Sequence, residues 1–394
     1  MAAKTIISFS SLALTMTLIA ISPTSYAAQY NVASFGATAG GRTDSSNAFL
    51  RAWASACSST GPSTVYIPKG TFYVKSAAFN GPCRSSSITF RIDGTLLAPS
   101  NYMVIGNSGN WIIFRQVSRL NVYGGILNGR GPSLWACKAT GKSCPIGATN
   151  LQFSNSNNVL VSGLRSVNSQ MFHIVVSGSR NVKFQSIKIS APETSPNTDG
   201  IHIEHSMGIT VLNSMMGTGD DCISIGPGAS NIWVENVACG PGHGISIGSL
   251  GKDSIEQGVQ NVTVKTVTFT DTQNGVRIKS WARPSTGFVR NILFQHAAMK
   301  DVQNPIIIDQ NYCPSNNGCP NKASGIKITD VAYRDIHGTS ATEVAVKFDC
   351  SSMNPCKNIN LQNVKLTYGN KVARASCTNA RGRASGFVQP SSCL

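Results

Sequence analysis

Six side chains able to do acid–base and ionic chemistry fall in four similar stretches of the chain. Asp199-Gly200-Ile201-His202-Ile203 aligns with Asp221-Cys222-Ile223-Ser224-Ile225, then with His243-Gly244-Ile245-Ser246-Ile247 and Asn274-Gly275-Val276-Arg277-Ile278. The aligned starts fall 22, 22 and 31 residues apart. Within each stretch apolar residues alternate with others, which is the period of a strand. If these strands stack in parallel, Asp199, Asp221 and His243 share one position on adjacent coils, about 4.8 Å apart. Asp220 sits beside Asp221, and Arg277 and Lys279 flank a core-facing Ile278 on the next strand. Three carboxylates, one imidazole and two cations then meet on one outward patch, in a chain with only 17 acidic residues. Carboxylates so close cannot all ionise easily, so at least one is expected to hold its proton toward neutral pH. A protonated acid beside ionised partners is what glycoside hydrolysis requires: one group protonates the leaving oxygen and another activates water. The two cations are suited to holding carboxylates on a substrate.

Such a column needs a repeating scaffold, and the sequence contains one. Asn or Gly followed by a β-branched residue, a variable one and another apolar one begins at Asn158, Asn181, Gly208, Asn231, Asn261, Asn291, Gly325 and Asn358. Repetition on this scale signals a solenoid, and an internal period of two makes its unit a strand. Parallel stacking buries the apolar face that no single unit buries alone. The Leu-dominated consensus of a leucine-rich repeat is absent. The expected fold is therefore all-β, a single-domain right-handed parallel β-helix. Asp44 to Ala56, with a capping Asp and with Phe49 and Trp53 four apart, reads as a helix covering the first coil. The Cys-rich tail from Cys350 to Cys393 is expected to close the other end.

Residues 1–27 read as a secretory signal, with Lys4, an apolar run from Ile6 to Ile21, and Ser25-Tyr26-Ala27 at the cleavage site. Residues 28–394 then form one domain with no linker and no membrane span, and a monomer is the simplest expectation. Twelve cysteines fit an oxidising compartment. Spacing favours bridges Cys137–Cys144, Cys313–Cys319, Cys350–Cys356 and Cys377–Cys393, and a structural Cys222–Cys239 bridge in place of a nucleophile. Asn261-Val262-Thr263 permits N-glycosylation. The formal charge of +16 attracts polyanions. A secreted chain with scattered basic residues and few aromatics points away from nucleic acid and toward an acidic extracellular polysaccharide. His202 and His205 flank Glu204, but strand alternation sends them to opposite faces, against a zinc site.

Asn197-Thr198-Asp199, Gly219-Asp220-Asp221, Gly242-His243-Gly244 and Arg277-Ile278-Lys279 resemble, in order and spacing, the four signatures of the polygalacturonases, glycoside hydrolase family 28. The resemblance covers essentially the whole chain after the leader. It implies an inverting hydrolase of α-1,4-linked galacturonate in pectin, secreted to the cell wall, with no cofactor and no metal. It assigns Asp220 as general acid, Asp199 and Asp221 as water activators, and His243 as the residue tuning protonation. Arg277 and Lys279 are assigned to substrate carboxylate, with Asn197 and Tyr312 also at the substrate. The run Gly219 to Gly228 looks closest to plant pollen-type exopolygalacturonases, which implies release of monogalacturonate from the non-reducing end. The alternatives are an endo-acting polygalacturonase, a calcium-dependent pectate lyase, a rhamnogalacturonan hydrolase and a non-catalytic wall-binding protein. The carboxylates adjoin a histidine and form no obvious calcium cage, which weighs against the lyase. Binding alone needs no proton donor, which weighs against the last.

Overall fold

The computed structural model describes residues 1–3, 27–314 and 317–394, so the expected leader over 1–27 lies almost wholly outside the described residues. Short strands stack coil upon coil into an 11-stranded sheet and a 19-stranded one, with parallel pairing apart from one short hairpin at Thr367–Lys371 among the described residues. This is the right-handed parallel β-helix anticipated from the repeat. Its core follows from β-branched residues in register: Val159, Val182, Ile209, Ile232, Val262 and Ile292 lie one above another and are all buried. Along the other sheet Phe79, Phe114 and Phe153 stack in the same way, with ring centroids 4.9 and 5.6 Å apart.

The corner before each repeat is built as its Asn residues require. Asn158, Asn181, Asn231, Asn261 and Asn291 adopt φ of 53–56°, a left-handed backbone that Asn tolerates better than most residues. Their amides also link coils: Asn261 Nδ2 donates to Asn231 Oδ1 at 3.0 Å, and Asn291 Nδ2 to Asn261 Oδ1 at 3.2 Å. The sequon asparagine is thus an exposed member of a ladder. One assignment from the repeat is wrong. Val331, not Ile326, lies in register with Ile292, and Asp330 (φ 57°) makes the corner in place of Gly325. Asp substitutes for Asn there by the same tolerance of the left-handed region, and a pattern requiring Asn or Gly misses it.

Helix α1 (Ser46–Ser58) caps the first coil, and Asp44 Oδ1 accepts from Ser46 N at 3.0 Å near its start. Trp53 packs against Phe79 and Phe114 at 5.3 and 5.4 Å, closing the core as its spacing predicts. Helix α2 (Pro132–Ala139) has no counterpart in the sequence reading; its apolar face is only Leu134 and Trp135, too short to show a period. All five bridges read from spacing are present, and a sixth, Cys57–Cys83, ties α1 to the following coil.

Candidate active site

The 11-stranded sheet carries the chemistry. Ile201–Glu204, Ile223–Ile225, Ile245–Leu250 and Asn274–Trp281 are consecutive strands, with Ile201, Ile223, Ile245 and Val276 in register. The residues after them, His202, Ser224, Ser246 and Arg277, form one column on the outer face. The strand entrances are tightly laid together. Gly200 N donates to Asp221 O at 2.9 Å and Cys222 N to Gly244 O at 2.7 Å. A Cβ on Gly244, at φ +87°, would stand 2.0 Å from the Asn274 carbonyl oxygen, so this position needs glycine.

The six residues named from sequence come together, but in two layers. The outer layer holds Asp220, whose side chain is 17% exposed, and His243, 35% exposed, with His243 Nδ1 3.0 Å from Asp220 Oδ1. Asn197 Nδ2 donates to the other oxygen, Asp220 Oδ2, at 3.3 Å. The Asp220 backbone is fixed as well: its carbonyl accepts from His243 N at 2.8 Å and from Thr218 Oγ1 at 3.1 Å. Beneath lies Asp221, 1% exposed. Arg277 Nη2 donates to Asp221 Oδ1 at 2.8 Å and Lys279 Nζ to Asp221 Oδ2 at 2.8 Å. Ser246 Oγ is the third donor to this carboxylate, on Oδ1 at 2.7 Å, and accepts from Arg277 Nε at 2.9 Å. The expectation of six freely outward groups is therefore corrected: Asp199, Asp221, Arg277 and Lys279 are buried, the last three as an ion-paired group. Two cations against one carboxylate still leave a positive charge under the site.

Tyr312 joins the cluster. Its ring lies 5.1 Å from Lys279 Nζ and 5.9 Å from the Arg277 guanidinium, and Trp281 meets it edge-on at 5.5 Å. Sequence reasoning did not single out Ser246 or Ser224, although both are outward residues of the column that carries Arg277. Ser246 is the group that joins Arg277 to Asp221.

The electrostatics separate the carboxylates. Burial holds Asp199 well above the usual carboxylate range, and the charges of Asp220 and Asp221 push it further, against smaller opposing effects of Ser224 and Lys279. This is the proton-holding member that crowding predicts. Burial acts to raise Asp221 too, but Lys279 and Arg277 outweigh it and bring it down to about 2. Oxygen and nitrogen atoms of Asp220, Asp221 and His243 lie within 4.8 Å of one another, close enough to converge on a metal ion. Both Asp221 oxygens are already on cations, so a metal there would meet two positive charges at contact distance.

A parallel β-helix bearing a cluster of carboxylates beside a histidine on one sheet has the kinds of group that glycoside hydrolysis uses. Residues 57–393 match the model for glycosyl hydrolases family 28, and the chain belongs to that family. It is 64% identical over 366 residues to a polygalacturonase of Prunus persica, covering 93% of each chain. It is 42% identical to an exopolygalacturonase of Platanus acerifolia, over 92% of this chain and 96% of that one. Among solved structures it resembles the endo-xylogalacturonan hydrolase of Aspergillus tubingensis, with a TM-score of 0.78 at 24% identity, over 91% of this chain and 100% of that one. That likeness concerns the fold. No helix among the described residues is long and apolar enough to cross a membrane.

Proposed function

We propose that this glycosidase hydrolyses α-1,4-galacturonosyl linkages of polygalacturonan by single displacement with inversion. The observation carrying the reading is the separation of the carboxylates: burial and its acidic neighbours raise Asp199, two cations at 2.8 Å keep Asp221 an anion, and Asp220 lies in the more exposed layer beside His243. Transfer of the Asp199 proton to Asp220 sets two roles at once. It arms Asp220 to protonate the leaving oxygen and leaves Asp199 ionised to activate water with Asp221. His243 and Asn197 hold Asp220 in place for that step. The surplus positive charge of Arg277 and Lys279, with the Tyr312 ring beside it, receives a substrate carboxylate. The protein acts outside the cell, on wall pectin, as a single domain over 28–394 and as a monomer. Six disulfides and the apolar leader support secretion.

Attack from a chain end is supported by a cavity of about 310 Å³ beside His202 and Glu204, walled by Gly106, Ile146, Met171 and Phe172. Lys138 Nζ donates to Ile146 O at 2.8 Å, and the Cys137–Cys144 bridge fastens that wall. A wall there limits how far a polymer extends toward the first coils. The alternative is endo action, since relatives named polygalacturonase and exopolygalacturonase stand side by side at 40–43% identity. Length-resolved products from defined oligogalacturonates, without added calcium, decide. Monomer alone from the earliest time supports end attack, whereas a ladder of intermediate lengths overturns it and leaves the hydrolase. Unsaturated products would contradict both.

A further inference from the structure

A second histidine stands beside a serine of the column that flanks the carboxylate cluster, and nothing in the mechanism above uses it. His202 stands next to Ser224 in the outer column, with Nδ1 2.8 Å from Ser224 Oγ. Ser224 stands in register with Ser246, whose hydroxyl donates to Asp221 at 2.7 Å, and it bears in the same way on Asp199 one coil earlier, where it favours the ionised carboxyl. On the other side of the ring, His202 Nε2 lies 3.6 Å from Glu204 Oε2, and Ser177 Oγ donates to Glu204 Oε1 at 3.0 Å. Phe172 stacks on the imidazole at 4.8 Å and 18°, which fixes the plane of the ring. Ser224 is 2% exposed and Asp199 6%, so this chain of groups runs largely out of water. The Glu204 carboxyl is itself brought down to about 2, chiefly by the His202 ring beside it.

We propose that Glu204, His202 and Ser224 form a relay that positions the proton of Asp199, making His202 and Ser224 positioning residues of the hydrolytic site. A hydroxyl carries one proton, and Ser224 has two acceptors to choose between. When His202 is cationic, Nε2–H faces Glu204 and Nδ1–H donates to Ser224 Oγ. The serine proton is then free for Asp199 and favours its ionised form. When His202 is neutral, Glu204 keeps the remaining proton on Nε2, and bare Nδ1 draws the Ser224 proton away from Asp199. The protonation of His202 thus decides whether Asp199 is helped to release its proton toward Asp220. The other charged groups in contact are Asp220, Asp221 and Lys279 facing Asp199, and His205 near Glu204. Of these, only the two aspartates oppose ionisation of Asp199; Lys279 assists it.

This inference rests on the hydrolase reading, and its test separates the two. The pH profile of kcat/KM on an oligogalacturonate is measured for the wild type, Ser224→Ala, Ser224→Thr, His202→Phe and Glu204→Gln. His202→Phe removes the acceptor that competes for the serine proton and does not move the acid limb upward. Without the serine hydroxyl Asp199 keeps its proton to higher pH, so the limb moves upward by on the order of one pH unit in Ser224→Ala. Glu204→Gln moves it the same way, and Ser224→Thr, which keeps the hydroxyl, restores the wild-type limb. A wild type inactive on the oligomer would overturn the hydrolase reading. An active wild type whose acid limb is unmoved by Ser224→Ala and Glu204→Gln, or is raised by His202→Phe, would overturn the relay alone. If the variants do not fold, ¹⁵N NMR of the wild-type imidazole keeps the question decidable. The relay requires the Nε2–H tautomer of neutral His202, and an Nδ1–H tautomer contradicts it.

Discussion

Asp220→Asn lowers kcat on polygalacturonate by about a hundred- to ten-thousand-fold and leaves the fold intact. The magnitude is that of a lost general acid. Asn keeps the shape of the side chain and can still meet His243 Nδ1 and Asn197, which stand 3.0 and 3.3 Å from the carboxylate oxygens. It cannot donate a proton to a leaving oxygen. The check is steady-state kinetics beside far-UV circular dichroism, and unchanged turnover would remove Asp220 from the mechanism. The same substitution takes a negative charge from beside Asp199, whose carboxyl is raised partly by that charge. The residual activity should therefore show its acid limb at lower pH than the wild type.

Lys279→Met is expected to destabilise the protein by about 3–5 kcal/mol at neutral pH, the cost of leaving a buried charge short of its partner. Lys279 and Asp221 side chains are 8% and 1% exposed, so solvent screens the pair little. The pH dependence fixes the cause. Asp221 has its folded pKa depressed to about 2 from an ordinary 3.8. Its contribution to stability is thus complete above the unfolded value and is lost as pH falls from there through the folded one. Denaturant midpoints of variant and wild type should differ most near pH 6 and converge as the pH falls toward 2. A gap that persists unchanged into acid would mean that Lys279 acts through packing of its stem against Tyr312, with no part played by the ion pair. Activity should fall with stability, because Asp221 would be a less secure anion beneath the catalytic carboxyl.

Much of this site was legible because a β-helix turns sequence spacing into spatial alignment. Once the strands are stacked in parallel, residues 22 apart become neighbours, and Asp199, Asp221, His243 and Arg277 could be brought together from their flanking apolar pairs alone. What the spacing could not convey is depth. Alternation says that Arg277 and Lys279 point outward; it does not say that Tyr312 lies against them, or that Asp221 lies beneath. The Tyr312 contact comes from the next strand, 33 to 35 residues further along, where loop length varies and the register is not fixed by the repeat. The displaced corner at Asp330 has the same origin, since the irregular segment before it hides the period. His202 illustrates a further limit. Read along the chain it is half of a His-Glu-His run, whereas read across the coils it is the neighbour of Ser224 and, through it, of Asp199.

Direct attack of water on an α-galacturonosyl bond, with Asp220 as acid and Asp199 as base, leaves a β-configured reducing end. ¹H NMR of a calcium-free reaction on oligogalacturonate, recorded before mutarotation scrambles the new reducing end, reads this configuration. The β-anomer is expected as the first product, with no unsaturated uronide. An initial α-anomer would mean a covalent intermediate and different roles for Asp199 and Asp221, and an unsaturated product would replace hydrolysis by elimination.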